Sequence, residues 1–181
     1  MRQAVFLDRD GVINRAEVRE GRPYPPANLA VMELLSGVPA ALQALHAAGW
    51  MLIVVTNQPD VARGTTPRAV VEAINAHLEQ TLPIDEFRTC YHDSGDGCDC
   101  RKPLPGALLA AAREHDIDLG RSFMLGDRWR DVEAGQRAGC KTIFIDYGYA
   151  EKQPKSCDYK VQSLQEAATI ILGEKKRNEK S

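Results

Sequence analysis

The strongest constraint on the fold is the regular exchange of two hydrophobic periods along the chain. Gln3–Leu7, Met51–Val55, Phe87–Tyr91, Ser122–Leu125 and Thr142–Ile145 are short, largely apolar runs, each closed by a polar residue or glycine. Such short runs suit strands buried on both faces. Between them the period becomes helical. Val38, Ala41, Leu42, Leu45 and Ala48 share a helix face that Gly49 can close. Thr66-Pro67 offers a capping hydroxyl and a first-turn proline to a helix striped by Val70, Ile74 and Leu78. Pro105–His115, around Leu108, Leu109 and Ala112, reads as another helix, as does Asp131–Ala138, ended by Gly139. Ser163-x-x-Glu166 is a capping box for a last helix carrying Ala167, Ile170 and Ile171. Alternation of this kind predicts an α/β fold: one doubly wound, Rossmann-like parallel sheet with helices on both faces.

The 181 residues suit one domain, expected over 1–172, with a charged tail over 173–181 expected to fray. A net charge of −2 favours neither nucleic acid nor an anionic membrane. Met51–Val55 is the longest apolar run and cannot span a bilayer, and the N-terminus lacks a signal-peptide pattern. The expectation is a cytoplasmic monomer acting on a small molecule.

Doubly wound sheets bind ligands at the carboxyl ends of their strands. The polar signals fall there: Asp8-Arg9-Asp10-Gly11 after the first run, Thr56-Asn57-Gln58 after the second, Gly126-Asp127 after a later one. Asp8 and Asp10 repel each other unless a cation lies between them. Mg²⁺ prefers a few hard oxygens and keeps several waters. Asp127 can complete such a site, with Asp131 one helical turn later in its outer shell, and Gly11 allows a sharp turn beside the metal.

Three of the five cysteines crowd into Cys90-Tyr91-His92 and Cys98-Asp99-Cys100. Three thiolates and one imidazole form a closed tetrahedral zinc set. The spacing C-x-H-x₅-C-x-C differs from common zinc fingers, and Gly95 and Gly97 favour an irregular loop. Four protein ligands leave no open position, so the zinc is expected to be structural. Arg101 and Lys102 follow Cys100 at once, so zinc would fix where those cations point. Cys140 reads as a small buried residue, Cys157 as a free thiol, and His46, His77 and His115 as helix-surface residues.

The ordered set Phe6-Leu7-Asp8-Arg9-Asp10-Gly11, Val55-Thr56-Asn57, Lys102-Pro103 and Gly126-Asp127-x-x-x-Asp131 resembles the haloacid dehalogenase (HAD) superfamily of phosphatases over nearly the whole chain. The resemblance implies that Asp8 is a nucleophile forming an aspartyl phosphate and that Asp10 is the general acid and then base. It implies that Thr56 and Lys102 hold phosphoryl oxygens, and that Mg²⁺ sits on Asp8, the Asp10 carbonyl and Asp127. The zinc set running into Arg101-Lys102-Pro103 is similar both to D,D-heptose 1,7-bisphosphate phosphatases and to histidinol-phosphate phosphatases, which are small and lack a large cap. The short His92–Cys98 gap is similar to the histidinol enzymes and to some heptose enzymes. Gln58 and Ala62-Arg63-Gly64 look more like the heptose enzymes, whereas Arg128 stands where they often carry lysine.

The function so implied is removal of the 7-phosphate of D-glycero-D-manno-heptose 1,7-bisphosphate, in supply of activated heptose for surface polysaccharide. Hydrolysis of histidinol phosphate, with Glu17 or Glu20 meeting the amine, stays open. A catalytically silent zinc-stabilised module is a third reading, opposed by the complete set Asp8, Asp10, Lys102 and Asp127. Candidate substrate contacts are Asn57, Gln58, Arg63, Arg101 and Arg128, with Trp129 at the mouth. Arg19 joins them because Asn14–Pro26 corresponds to a sugar-contacting segment in the related enzymes.

Overall fold

The computed structural model describes residues 1–178. In chain order the elements are β1 (Ala4–Leu7), β2 (Glu17–Arg19), β3 (Arg22–Tyr24), α1 (Val38–Ala47), β4 (Met51–Asn57), α2 (Arg68–Thr81) and β5 (Glu86–Cys90). Then come α3 (Gly106–His115), β6 (Phe123–Gly126), α4 (Trp129–Ala138), β7 (Lys141–Ile145), β8 (Tyr159–Val161) and α5 (Leu164–Asn178). Six strands form one parallel sheet in the order β5-β4-β1-β6-β7-β8, as the alternation predicts. The chain builds outward from β1 to one edge and then crosses to build the other. The switch point therefore lies at β1, flanked by β4 and β6.

Side chains of β1 alternate between two cores, as the period of two requires. Val5 and Leu7 pack with α1, α2 and α5, beside Leu42, Leu45, Ile74 and Ile171. Ala4 and Phe6 pack with α3 and α4, beside Leu108, Ala111 and Ala138. Burial on both faces is why these strands are apolar without interruption.

Several local expectations are corrected. Pro67 occupies the N-cap of α2 without any side-chain cap bond, so the Thr66 hydroxyl cap is not made. The buried stripe of α2 is Val71, Ile74 and Leu78, with Val70 only half-buried. The Ser163 hydroxyl does accept from Glu166 N at 3.2 Å, while the Glu166 carboxylate accepts from Gln162 N at 2.9 Å. The tail boundary at Gly173 is also corrected, because α5 continues through it to Asn178. Glu174 is buried and meets Lys141 and Tyr159, and Lys175 donates to the Ala48 carbonyl, so side-chain anchors hold this turn in place. Residues 179–181 of the expected tail lie outside the described residues. The β2–β3 hairpin and β8 carry only three residues each, too few for a period to register. Among the described residues, no helix is long and apolar enough to cross a membrane.

Candidate active site

Asp8 is the first residue beyond β1, and its N–H continues the ladder to the Leu125 carbonyl at 2.9 Å. Thr56 lies near the end of β4 and Asp127 follows β6, so three adjacent strand ends converge. Asp8, Asp127 and Asp131 are buried and bring carboxylate oxygens within 4.8 Å of one another. Lys102 Nζ sits among them, 2.8 Å from Asp8 Oδ1, 2.7 Å from Asp131 Oδ1 and 2.6 Å from the Val55 carbonyl. Those three acceptors use its three donors.

Burial, then the Asp131 and Asp10 charges, outweigh Lys102 and raise the Asp8 carboxyl to about 6. Burial and the Asp8 and Asp131 charges likewise raise Asp127. Burial opposes the Lys102 ammonium, but Asp131 and Asp8 outweigh it and hold its pKa above the ordinary value. One ammonium does not balance three buried carboxylates. The buried Asp127 Oδ1 has no hydrogen-bond partner among the described residues. A hard divalent cation fits both observations. The turn at Gly11 has φ +86°, and a Cβ there would stand 2.0 Å from Asp127 Oδ2, so only glycine lets the chain pass this close to the carboxylates.

Asp10 is held by side chains rather than by the carboxylate group. Arg9 donates to its Oδ1 at 3.1 Å, Asn14 to Oδ1 at 2.9 Å and Gln58 to Oδ2 at 2.9 Å. Arg9 is completely buried and also donates to Asn75 Oδ1 at 2.8 Å. Gln58 is buried and donates to Thr56 Oγ1 at 3.0 Å as well. It therefore positions Asp10 and Thr56 from behind and does not line the cleft, where a substrate contact was expected. Asn57 lines the cleft and pins Lys102 in both directions, donating to its carbonyl at 2.9 Å and accepting from its N–H at 3.1 Å.

The four expected zinc ligands come together. Cys90 Sγ lies 3.8 Å from Cys98 Sγ and 3.6 Å from His92 Nδ1, and Cys100 Sγ lies 3.0 Å from Cys90 Sγ and 3.4 Å from His92 Nδ1. Tetrahedral zinc with Zn–S near 2.3 Å sets S–S edges at about 3.8 Å; the Cys90–Cys98 edge matches this, the Cys90–Cys100 edge at 3.0 Å is tighter, and the four ligand atoms lie within 4.8 Å of one another, close enough to share a single ion. Burial and the neighbouring cysteines push the Cys100 thiol far above its ordinary value, a crowding that a bound cation reverses.

The strand ends open into a cleft of about 680 Å³. Arg22, Arg63, Arg101, Arg128 and Arg130 line it, as does Trp129. Arg63 forks onto Asp93 at 2.7 and 2.8 Å, which holds the Asp93 carboxyl well below its usual range. Arg101 donates to the His92 carbonyl at 3.2 Å. Arg128 forks onto Glu151. Arg19 does not line the cleft: it is paired with Glu17 at 2.7 Å on the exposed hairpin, with its guanidinium 5.1 Å from the Tyr24 ring centre. Arg22, Tyr24 and the prolines beside them bring the hairpin to the cleft instead.

Tyr149, Tyr147, Glu151 and Arg130 were missed in the sequence. The Tyr149 hydroxyl donates to Asp127 Oδ2 at 2.7 Å, and the Tyr147 hydroxyl donates to the Gly11 carbonyl at 2.8 Å. The available signal was position, since Tyr147-Gly148-Tyr149 follows β7 at the same end of the sheet.

A protein 34% identical to this chain is the D-glycero-beta-D-manno-heptose-1,7-bisphosphate 7-phosphatase of Pasteurella multocida, the match covering 96% of this chain and 98% of that one. The chain belongs to this phosphatase family. The enzyme of the same name from Pseudomonas putida is 35% identical, over 82% of this chain and 85% of its own. The HAD-hydrolase-like family model matches residues 99–167. The crystal structure of D,D-heptose 1,7-bisphosphate phosphatase from B. bronchiseptica, complexed with magnesium and phosphate, superposes with a TM-score of 0.77 at 30% identity, covering 95% of this chain and 99% of that one. The protein is accordingly a HAD-superfamily phosphatase, a phosphoric monoester hydrolase.

Proposed function

We propose that this phosphatase removes the 7-phosphate from D-glycero-D-manno-heptose 1,7-bisphosphate. The observation that carries the reading is the cleft wall beyond the carboxylates: besides Lys102 it presents Arg22 and Arg130, neither with a carboxylate partner among the described residues, more cations than one reacting phosphate requires. The names of the relatives in P. multocida and P. putida point to the same substrate. An amine-bearing phosphate ester would need an unengaged carboxylate at the mouth, yet Glu17 is engaged by Arg19 on the exposed hairpin, and Asp60 and Asp93, which line the cleft, are paired with Arg63.

Asp8 attacks phosphorus, forming an Asp8 O–P bond as the P–O bond to the sugar breaks. Asp10, aimed by Arg9, Asn14 and Gln58, gives its proton to the departing alkoxide. It then takes a proton from water as that water attacks phosphorus, which releases inorganic phosphate and restores the Asp8 carboxylate. Lys102 exchanges a carboxylate contact for a phosphoryl oxygen, and Thr56 presents its hydroxyl to another. Asp8, Asp127 and the Asp10 carbonyl would hold Mg²⁺, with Asp131 behind them; when bound it offsets charge on the transferring phosphoryl group. Cys90, His92, Cys98 and Cys100 would hold a structural zinc, which would keep Arg101 and Lys102 in place. The same reading makes the protein a monomer of the cytoplasm.

The test is phosphate release with Mg²⁺, comparing kcat/KM for heptose 1,7-bisphosphate, fructose 1,6-bisphosphate and histidinol phosphate. A preference of at least about 100-fold for the heptose, roughly 2.7 kcal/mol of transition-state discrimination, is expected. A preference for histidinol phosphate would reject the assignment.

A further inference from the structure

The arginines of the cleft are not equivalent. Arg63 is neutralised by its fork onto Asp93 and by Asp60 at 3.4 Å. Arg128 is neutralised by Glu151. Arg101 is tied to the His92 carbonyl and stands 3.9 Å from Asp93. A phosphate that recruited any of these would compete with a bond already made. Arg130 differs. It is half-buried in the cleft wall and, among the described residues, makes no ion pair or hydrogen bond. Its guanidinium carbon lies 5.0 Å from the centre of the Trp129 ring; the charges of Arg128 and Arg101 oppose its own, and those of Glu151 and Asp131 act in the other direction. Stacking on an indole restrains a guanidinium while leaving its N–H edges able to bind, so little entropy is lost when an anion arrives. Half-buried cations that repel one another are stabilised by a dianion placed among them, and a phosphate monoester accepts the bidentate fork of arginine. Arg22, the other cleft arginine without a carboxylate partner among the described residues, is exposed on the hairpin.

We infer that Arg130 is the specificity-determining anchor for the phosphate that is not cleaved, with Arg101 beside it and Trp129 as its platform. This rests on the bisphosphatase reading and adds a residue to it. Arg128, held by Glu151, then shapes the wall and does not provide the principal contact.

The test compares kcat/KM for heptose 1,7-bisphosphate and heptose 7-phosphate in the wild type, Arg130→Gln and Arg130→Lys, each with its melting temperature. In the wild type the bisphosphate should be preferred by at least 100-fold. Arg130→Gln should shrink that ratio at least tenfold, chiefly through KM, with kcat/KM for the monophosphate within twofold. Arg130→Lys, which keeps the charge but loses the fork, should fall between. A wild-type preference that survives unchanged in Arg130→Gln would overturn the role of Arg130 and leave the bisphosphatase reading standing. A wild type indifferent to the second phosphate would overturn both. A monophosphate rate that falls in step with the bisphosphate rate would show a general disturbance of the site and also reject the anchor.

Discussion

The Gln58 backbone N–H donates to the Cys90 carbonyl at 2.8 Å, while its side chain donates to Asp10 Oδ2 at 2.9 Å. One residue therefore spans from a proposed zinc ligand to the carboxylate proposed as acid and base. On the other side of the zinc loop, Cys100 leads through Arg101 to Lys102, which reaches Asp8. The Cys₃His cluster thus adjoins both halves of the proposed chemistry.

Gln58→Leu keeps much of the side-chain volume but leaves Asp10 without one donor and Thr56 Oγ1 without its partner. A fall in kcat of about 10- to 100-fold is expected, the range of a lost, misaligned acid/base contact, with KM nearly constant. Steady-state kinetics on an alkyl phosphate, whose departing alkoxide needs the proton, would decide it. An unchanged kcat would mean that Arg9 and Asn14 alone hold Asp10.

Removing zinc should disturb both arms together. Cys98→Ser is expected to lower zinc stoichiometry, measured by elemental analysis, and to cost about 2 kcal/mol, or roughly 6 °C in melting temperature for a domain of this size. Full zinc occupancy in the variant would mean that the ligand set is wrong.

Burial of Asp8 has a pH consequence whose sign is opposite to that of a salt-bridged carboxylate. Its folded pKa, about 6, lies above the ordinary 3.8, so the folded state holds this proton more tightly than the unfolded chain. Stability of the Mg²⁺-free protein should therefore fall as pH rises from about 4 to about 6. Mg²⁺ favours the ionised carboxylates and should offset that loss. The rise in melting temperature on adding Mg²⁺ is expected to be larger at pH 7.5 than at pH 5. An equal rise at both would show that the carboxylates are ionised throughout.

Asp8→Asn removes the proposed nucleophile and one member of a repelling group. Phosphate release should drop by at least about 10⁴-fold, or ~5 kcal/mol at 1.36 kcal/mol per decade. Melting temperature without Mg²⁺ should not fall, because Lys102 keeps Asp131 at 2.7 Å. Substantial residual turnover would remove Asp8 as nucleophile.

Gly11→Ala would set a methyl group 2.0 Å from Asp127 Oδ2 in a left-handed conformation that disfavours side chains. A loss of Mg²⁺ affinity of tenfold or more is expected, read from the Mg²⁺ dependence of the rate. Unchanged affinity would place Asp127 outside the metal site.

The chain order of Asp8, Thr56, Lys102 and Asp127, the clustering of Cys90, His92, Cys98 and Cys100 and the parallel sheet were legible because each depends on local pattern. Strand ends are marked by where apolar runs stop, and metal ligands by unusual residue types at close spacing. The hairpin, β8 and the continuation of α5 were not legible. Three-residue strands carry no measurable period, and the last turn of α5 is held by Lys141 and Ala48, which approach it only in three dimensions.

The sequence by itself determined the class of chemistry, since buried carboxylates, a lysine and a Cys₃His set can be recognised wherever they fall along a strand–helix repeat. Tertiary structure alone decided which charges are already satisfied. Arg19, Arg63, Arg128 and Arg130 look alike as letters. Whether each meets Glu17, Asp93, Glu151 or no carboxylate depends on how separate loops pack around the switch point at β1. Desolvated electrostatics act over a few ångströms, and at that range sequence distance carries little information.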